Sequence, residues 1–266
     1  MFEILDRRTT LTGNQIKILI AAIIGDALEF FGQAADTPGM ERLGLPIVED
    51  ACEALGARHA DGTLVGSRGH SAVFAFYPNK QITTGEGGMA VTDDATLAET
   101  MRSLRNQGRD ADGTWLRHIR LGYNYRLDEM SAAIGVAQLE RLHELRAGRA
   151  RVAASYEQAL GDADWLRLPR AGAGEAVDWF VYVVRLDPKI DRDRVIGRLA
   201  EVGVPSRPYF SPIHLQPIYR SMFGYRPGDL PVTERVAAST LALPFSSRLT
   251  DAEVGLVADS LHWAVE

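Results

Sequence analysis

From His70 to Val91 the chain reads HSAVFAFYPNKQITTGEGGMAV. Ser71 to Phe76 is small, β-branched and aromatic, the composition of a short buried strand. Pro78 and Asn79 end that strand, and Lys80 follows at the mouth of a turn. Two threonines and the run Gly85-Glu-Gly-Gly88 come next, before Met89 to Val91 resumes an apolar, strand-like pattern. One lysine is therefore held on a loop between two buried strands. Partial desolvation at such a place lowers an amine's pKa and leaves the neutral form available to attack a carbonyl carbon, which is Schiff-base chemistry. The plainer alternative is a solvated lysine on an ordinary surface loop.

Working outward, 266 residues with 46% hydrophobic content can bury one large core or two modest ones. A net charge of −6 argues against a general nucleic-acid or anionic-membrane binder, since both depend on concentrated positive charge. Cys52 is the single cysteine, so no intrachain disulfide can form and a reducing, cytoplasmic compartment is expected. The most apolar run, Ile16 to Ile24, contains Lys17 and is too short to span a bilayer. It fits a buried strand, and Met1 to Thr12 does not look like a signal peptide. His59 and His70 lack partners at metal-ligand spacing, so no metal site is expected. There is no G-x-S-x-G elbow, and Gly85 to Gly88 is neither a Walker nor a dinucleotide fingerprint.

Leu45 to Asp50 (LPIVED) is a short apolar run ending in two carboxylates, as in a parallel strand whose C-terminal end faces a site. Asp50 stands at that end, where it could also cap a helix starting near Ala51. Asp93 to Asn106 has the pattern of an amphipathic helix opened by a capping aspartate and closed near Gly108. Gln107 to Tyr125 is a polar, Arg- and Gly-rich loop ending in LGYNYRL (Leu121 to Leu127), in which Asn124 alone would pass for a turn residue. Asp128 to Leu145 carries apolar residues at Met130, Ala133, Ile134, Ala137, Leu139, Leu142 and Leu145, which predicts one helix packed into the core on that face. The helical pattern continues to Leu160, with Gly148 as a candidate bend. Leu168 to Glu175 is a Gly/Ala-rich seam. Trp179 to Leu186 is β-prone, Asp191 to Val202 a capped helix, and Leu241 to Phe245 a last strand. Thr250 to Glu253 is a capping box for the final helix. Four prolines between Pro205 and Ile218 (PSRPYFSPIHLQPI) impose an irregular loop, in which His214 could be a satisfied surface histidine.

Four segments, EFFGQAAD at Glu29 to Asp36, the Glu49-Asp-Ala-Cys52 run, Lys80 with its TTGEGG tail, and GYNYR at Gly122 to Arg126, occur in one order. In that order they closely resemble the DegT/DnrJ/EryC1/StrS sugar aminotransferases. The resemblance implies a fold type I α/β architecture, a mixed, mostly parallel sheet with flanking helices plus a small C-terminal α+β domain. Residues 1–147 would form part of the large cofactor-binding domain and 148–266 the small domain. It implies pyridoxal 5'-phosphate as cofactor, carried by Lys80, with Asp50 against the pyridine nitrogen. A carboxylate there keeps the ring protonated and so able to accept electrons. Glu53 occupies the position near the cofactor's phenolic oxygen. Asn124 would reach across a homodimer interface to the partner's cofactor phosphate, and the loop bearing Tyr209 and His214 would approach the substrate. The implied reaction moves an amino group from glutamate or glutamine to a keto sugar attached to a nucleotide, in polysaccharide or sugar-derivative biosynthesis.

The sequence departs from that pattern in two places. A Gly-Thr-x-Ala phosphate turn is not found between Met1 and Leu28, and Ala75 stands where many relatives place a phosphate-binding serine. A relative that keeps part of the fold without catalysis is therefore a second reading. A cofactor-binding regulator would require a DNA-binding domain, and no basic helix-turn-helix pattern is present.

Overall fold

The structure, a computed structural model, describes residues 32–42, 44, 46–112, 114–170 and 177–266. The expected strand at Ile16 to Ile24 and the region searched for a phosphate turn lie outside them. The described chain divides into two compact units. One holds the residues through Leu142 together with 177–178, and the other holds 143–170 and Trp179–Glu266.

In the first unit, helix α1 (Thr37–Glu41) leads to strand β1 (Val48–Asp50), followed by β2 (Ser71–Ala75) and β3 (Gly88–Val91). The three form one sheet in the order β1-β2-β3. β1 and β2 run parallel, with Asp50 opposite Val73, while β2 and β3 are antiparallel, with Ala75 opposite Gly88. The parallel pair places the carboxyl ends of β1 and β2 side by side, so the residues that follow each strand emerge at one edge. A small core of Ala51, Ala54, Ala57 and Val65 packs with Ala34 and with Phe74 of β2.

Helix α2 (Ala95–Arg105) begins where the sequence predicts. Asp94 accepts hydrogen bonds from the N–H groups of Thr96 and Leu97, satisfying two of the donors that a helix start leaves over. The long helix predicted from Asp128 is two helices, α3 (Glu129–Glu140) and α4 (Leu142–Leu160). Asp128 caps the first. The predicted core face of α3 is not buried: Met130 is 80% exposed, and Ile134, Val136 and Leu139 also lie open. Periodicity reports that a face is apolar, not which surface covers it. Gly148 is no bend either. It lies within α4, and a Cβ there would stand 2.7 Å from the Ser247 carbonyl oxygen, so the glycine permits close packing.

The second unit is α+β. Strands β4 (Leu166–Arg167), β5 (Tyr182–Leu186) and β6 (Thr240–Leu243) form an antiparallel sheet in that order. Helices α4, α5 (Arg192–Glu201) and α8 (Asp251–Val265) contribute Val152, Tyr156, Leu160, Val195, Leu199, Val254 and Leu261 to a core completed by Tyr182, Val184, Leu186, Leu241 and Leu243. Each fully buried side chain of this size stabilises by roughly 1.5–3 kcal/mol. Asp191 caps α5, and both halves of the predicted capping box at Thr250 and Glu253 are formed. Between them lie a 3-10 turn (Ile213–Leu215) and the helices α6 (Pro217–Phe223) and α7 (Pro231–Ser239).

Candidate active site

Lys80 is fixed by the chain on both sides of it. Its N–H donates to the Tyr77 carbonyl at 3.0 Å, closing a turn with Pro78 and Asn79 at its centre. Proline presets the backbone angle that such a turn needs. After it, Thr83 Oγ1 donates to the Phe76 carbonyl at 3.1 Å and accepts from the Gly85 N–H at 2.9 Å. Thr84 Oγ1 donates to the Glu86 carbonyl at 2.6 Å. The threonines thus satisfy the loop's own backbone. A Cβ at Gly87, where φ is +149°, would come within 2.5 Å of Thr84 Oγ1, and one at Gly88 within 2.7 Å of the Phe74 carbonyl oxygen. These glycines let the chain fold back close to β2.

The lysine side chain turns to β1. Its Nζ donates to Glu53 Oε1 at 3.1 Å, and the two side chains are only 13% and 9% exposed. Glu53 arrives by a tight, turn-rich path after β1, in which Ala54 N–H bonds the Ala51 carbonyl and Ala57 N–H the Ala54 carbonyl. No helix starts at Ala51, so Asp50 is not a helix cap. Its Oδ1 accepts the Cys52 N–H at 3.2 Å, an Asx turn that fixes the carboxylate at the exposed end of β1. Cys52 is within electrostatic reach of Asp50, Lys80 and Glu53. Its thiol is pushed up to about 12, first by burial and then by the Asp50 carboxylate, with Lys80 acting the other way. The thiol stays neutral and adds no charge to the site.

The remaining expected residues make other contacts. Asn124 is not in a turn but in an extended bridge to Asn106 at the end of α2, exposed and flanked by Tyr123 and Tyr125, whose rings stack at 4.9 Å. His214 belongs to the second unit and is not a surface residue. It is buried in the 3-10 turn, with Nε2 3.0 Å from Glu234 Oε1. That hydrogen bond, joined by the Gly228 and Leu230 N–H groups, holds the Glu234 carboxyl below its ordinary range. Tyr209 is half-buried, its ring stacked on Phe210 at 4.2 Å. Among the described residues, no cluster of His, Cys, Asp or Glu could hold a metal ion, and no helix is long and apolar enough to cross a membrane.

The model of the DegT/DnrJ/EryC1/StrS aminotransferase family matches residues 11–262. The chain belongs to that family. Members of the DegT/DnrJ/EryC1/StrS family are pyridoxal phosphate-dependent. GDP-perosamine synthase of Caulobacter vibrioides is 40% identical over 242 residues, which is 88% of this chain and 64% of that protein. Among solved structures, the aminotransferase TlmJ of Streptoalloteichus hindustanus superposes with a TM-score of 0.80 at 31% identity, covering 89% of this chain and 64% of its own. DesV of S. venezuelae gives 0.80 at 33%, covering 90% and 64%. The chain shares their fold and spans 57–64% of the length of the curated relatives it matches.

Two buried residues of this family member escape a reading of the sequence. Glu49 accepts from three backbone N–H groups, Gly66 at 2.8 Å and Arg68 and Gly69 at 2.7 Å, and lies 3.6 Å from His59 Nε2. It anchors the loop before β2 to the strand that carries Asp50. Gln81, next to the lysine, donates its side-chain amide to the Glu53 carbonyl at 2.8 Å and the Asp178 carbonyl at 3.4 Å. The available signal was a buried strand ending in two carboxylates, of which alternation sends one inward.

Proposed function

We propose that this chain is a pyridoxal phosphate-dependent sugar aminotransferase, moving an amino group from glutamate or glutamine to a nucleotide-linked keto sugar. One observation carries the reading: a largely buried lysine amine and a strand-end aspartate leave the carboxyl edge of one parallel strand pair, linked through Glu53 and Cys52. The donor set fits the cofactor, because Lys80 offers an amine for its carbonyl carbon and Asp50 an anion for its ring nitrogen. When bound, the group supplies that carbonyl carbon and a ring that accepts the electron pair of the bond broken at the amino carbon.

The chain's own residues do the rest. Asp50, oriented by the Cys52 N–H, holds a proton on the ring nitrogen by charge. Cys52, as a neutral thiol, leaves that charge uncompensated. Glu53 orients Lys80 Nζ through the 3.1 Å hydrogen bond, so that the amine is placed to move a proton at the substrate's amino carbon. Asn124, Tyr209 and His214 are proposed for phosphate and substrate contacts. The exposed apolar residues of α3 and the open Leu121, Tyr123 and Tyr125 suit a homodimer in which Asn124 serves the partner's site. A cytoplasmic location agrees with the single reduced cysteine.

The test is an absorbance spectrum of the purified chain with pyridoxal phosphate, alone, with glutamate and as Lys80→Ala. The proposal expects a visible band that glutamate bleaches and that the variant lacks. No band at any cofactor concentration would overturn it.

A further inference from the structure

Gln81 carries no charge and has no part in the chemistry above, yet it is 4% exposed and adjoins Lys80. Both groups in reach of its amide are carbonyl oxygens, those of Glu53 at 2.8 Å and Asp178 at 3.4 Å. Carbonyls only accept, so the NH2 end must face them and the orientation of the amide is settled by its partners. Two successive residues of one turn therefore hold one residue of another segment. Lys80 bonds the Glu53 side chain, and Gln81 bonds the Glu53 backbone.

We propose that Gln81 is a positioning residue that holds Glu53 at the distance where its carboxylate captures the Lys80 ammonium, an inference that rests on Lys80 being the cofactor lysine. A carboxylate and an ammonium attract over a range of geometries, but a hydrogen bond is strong only near 3 Å. Fixing the Glu53 backbone removes freedom that the pair would otherwise lose on forming. The clamp keeps the lysine aligned while the amine is not bonded to carbon, and returns it to one place after each turnover.

The chain offers an internal standard. Lys17, Lys80 and Lys189 are its only lysines, and Lys189 is exposed. Trace labelling of the cofactor-free protein with acetic anhydride near neutral pH, read by mass spectrometry, reports the reactivity of Lys80 relative to Lys189. Gln81→Met keeps the size and loses the donors; the expected rise in the Lys80 to Lys189 ratio is on the order of threefold. Glu53→Gln raises the ratio too, and adding Gln81→Met to it changes nothing further. With pyridoxal phosphate bound, Gln81→Met also moves the pH midpoint of the visible band. Gln81→His keeps one donor and gives an intermediate ratio, and it decides the matter if the methionine variant does not fold. A Gln81 that only supports folding would lower the melting temperature and leave the ratio of the single variant at the wild-type value; that result overturns the proposal. A missing band in the unaltered protein speaks against Lys80 as the cofactor lysine and is read separately from the ratio.

Discussion

Lys80 and Glu53, 27 positions apart in sequence, meet as an ion pair of 3.1 Å in which neither side chain is more than 13% exposed. Removing one member leaves the other charge short of water and of its partner. Glu53→Ala should therefore destabilise the chain by about 2 kcal/mol. The double variant Lys80→Met, Glu53→Leu should recover most of that loss. Denaturant titrations of the unaltered chain and the two variants check this, and a double variant no more stable than Glu53→Ala would contradict it.

Glu49 should matter more to stability than its acidic neighbours. It is buried and receives three backbone N–H groups, so Glu49→Ala leaves those donors without their acceptor. The expected cost is about 3 kcal/mol. Hydrogen exchange should quicken at Gly66, Arg68 and Gly69 and remain slow in β5. Equal quickening in both would show a global effect instead.

What the sequence made legible, and what it did not, divides along physical lines. Local signals were plain: a capping aspartate opens α2, at Asp94 within the stretch read from Asp93, and the Asp191 cap and the Thr250 capping box stand where the pattern put them, because each is settled within four residues. The turn at Lys80 was readable for the same reason. The exposure of the α3 apolar face was not, since burial depends on what else covers a surface. The contact between Gln81 and Glu53 was equally hidden, because it joins two loops whose approach is set by the pairing of β1 with β2. His214 looked like a surface residue only because Glu234, its partner 20 positions on, carries no local mark.

The Cys52 thiol should be unreactive in the folded chain. With its pKa pushed up to about 12, the thiolate fraction near pH 8 is about one in ten thousand, against roughly a quarter for an ordinary thiol. Alkylation by iodoacetamide should be slower in the native protein than in urea by on the order of a thousandfold. Comparable rates would show that Cys52 is neither buried nor beside Asp50.

Glu234 makes stability depend on pH in a stated direction. The His214 hydrogen bond holds its carboxyl below the ordinary value of 4.5, so the unfolded chain binds the proton more readily. The contribution is complete above that value and is lost as pH falls through the lower, folded one. Melting temperatures between about pH 5 and pH 3 should fall less steeply for Glu234→Gln than for the unaltered chain, starting from a lower value near pH 7. Parallel curves would remove Glu234 from the account.

The central claim is that Lys80, of the three lysines, is the one that carries the cofactor. Borohydride reduction of the protein with bound pyridoxal phosphate makes the attachment permanent, and peptide mass spectrometry then locates it. The account predicts the added mass on the peptide containing Lys80 and on no other, absent when glutamate is added before reduction. The mass on Lys17 or Lys189, or spread among all three, would contradict it.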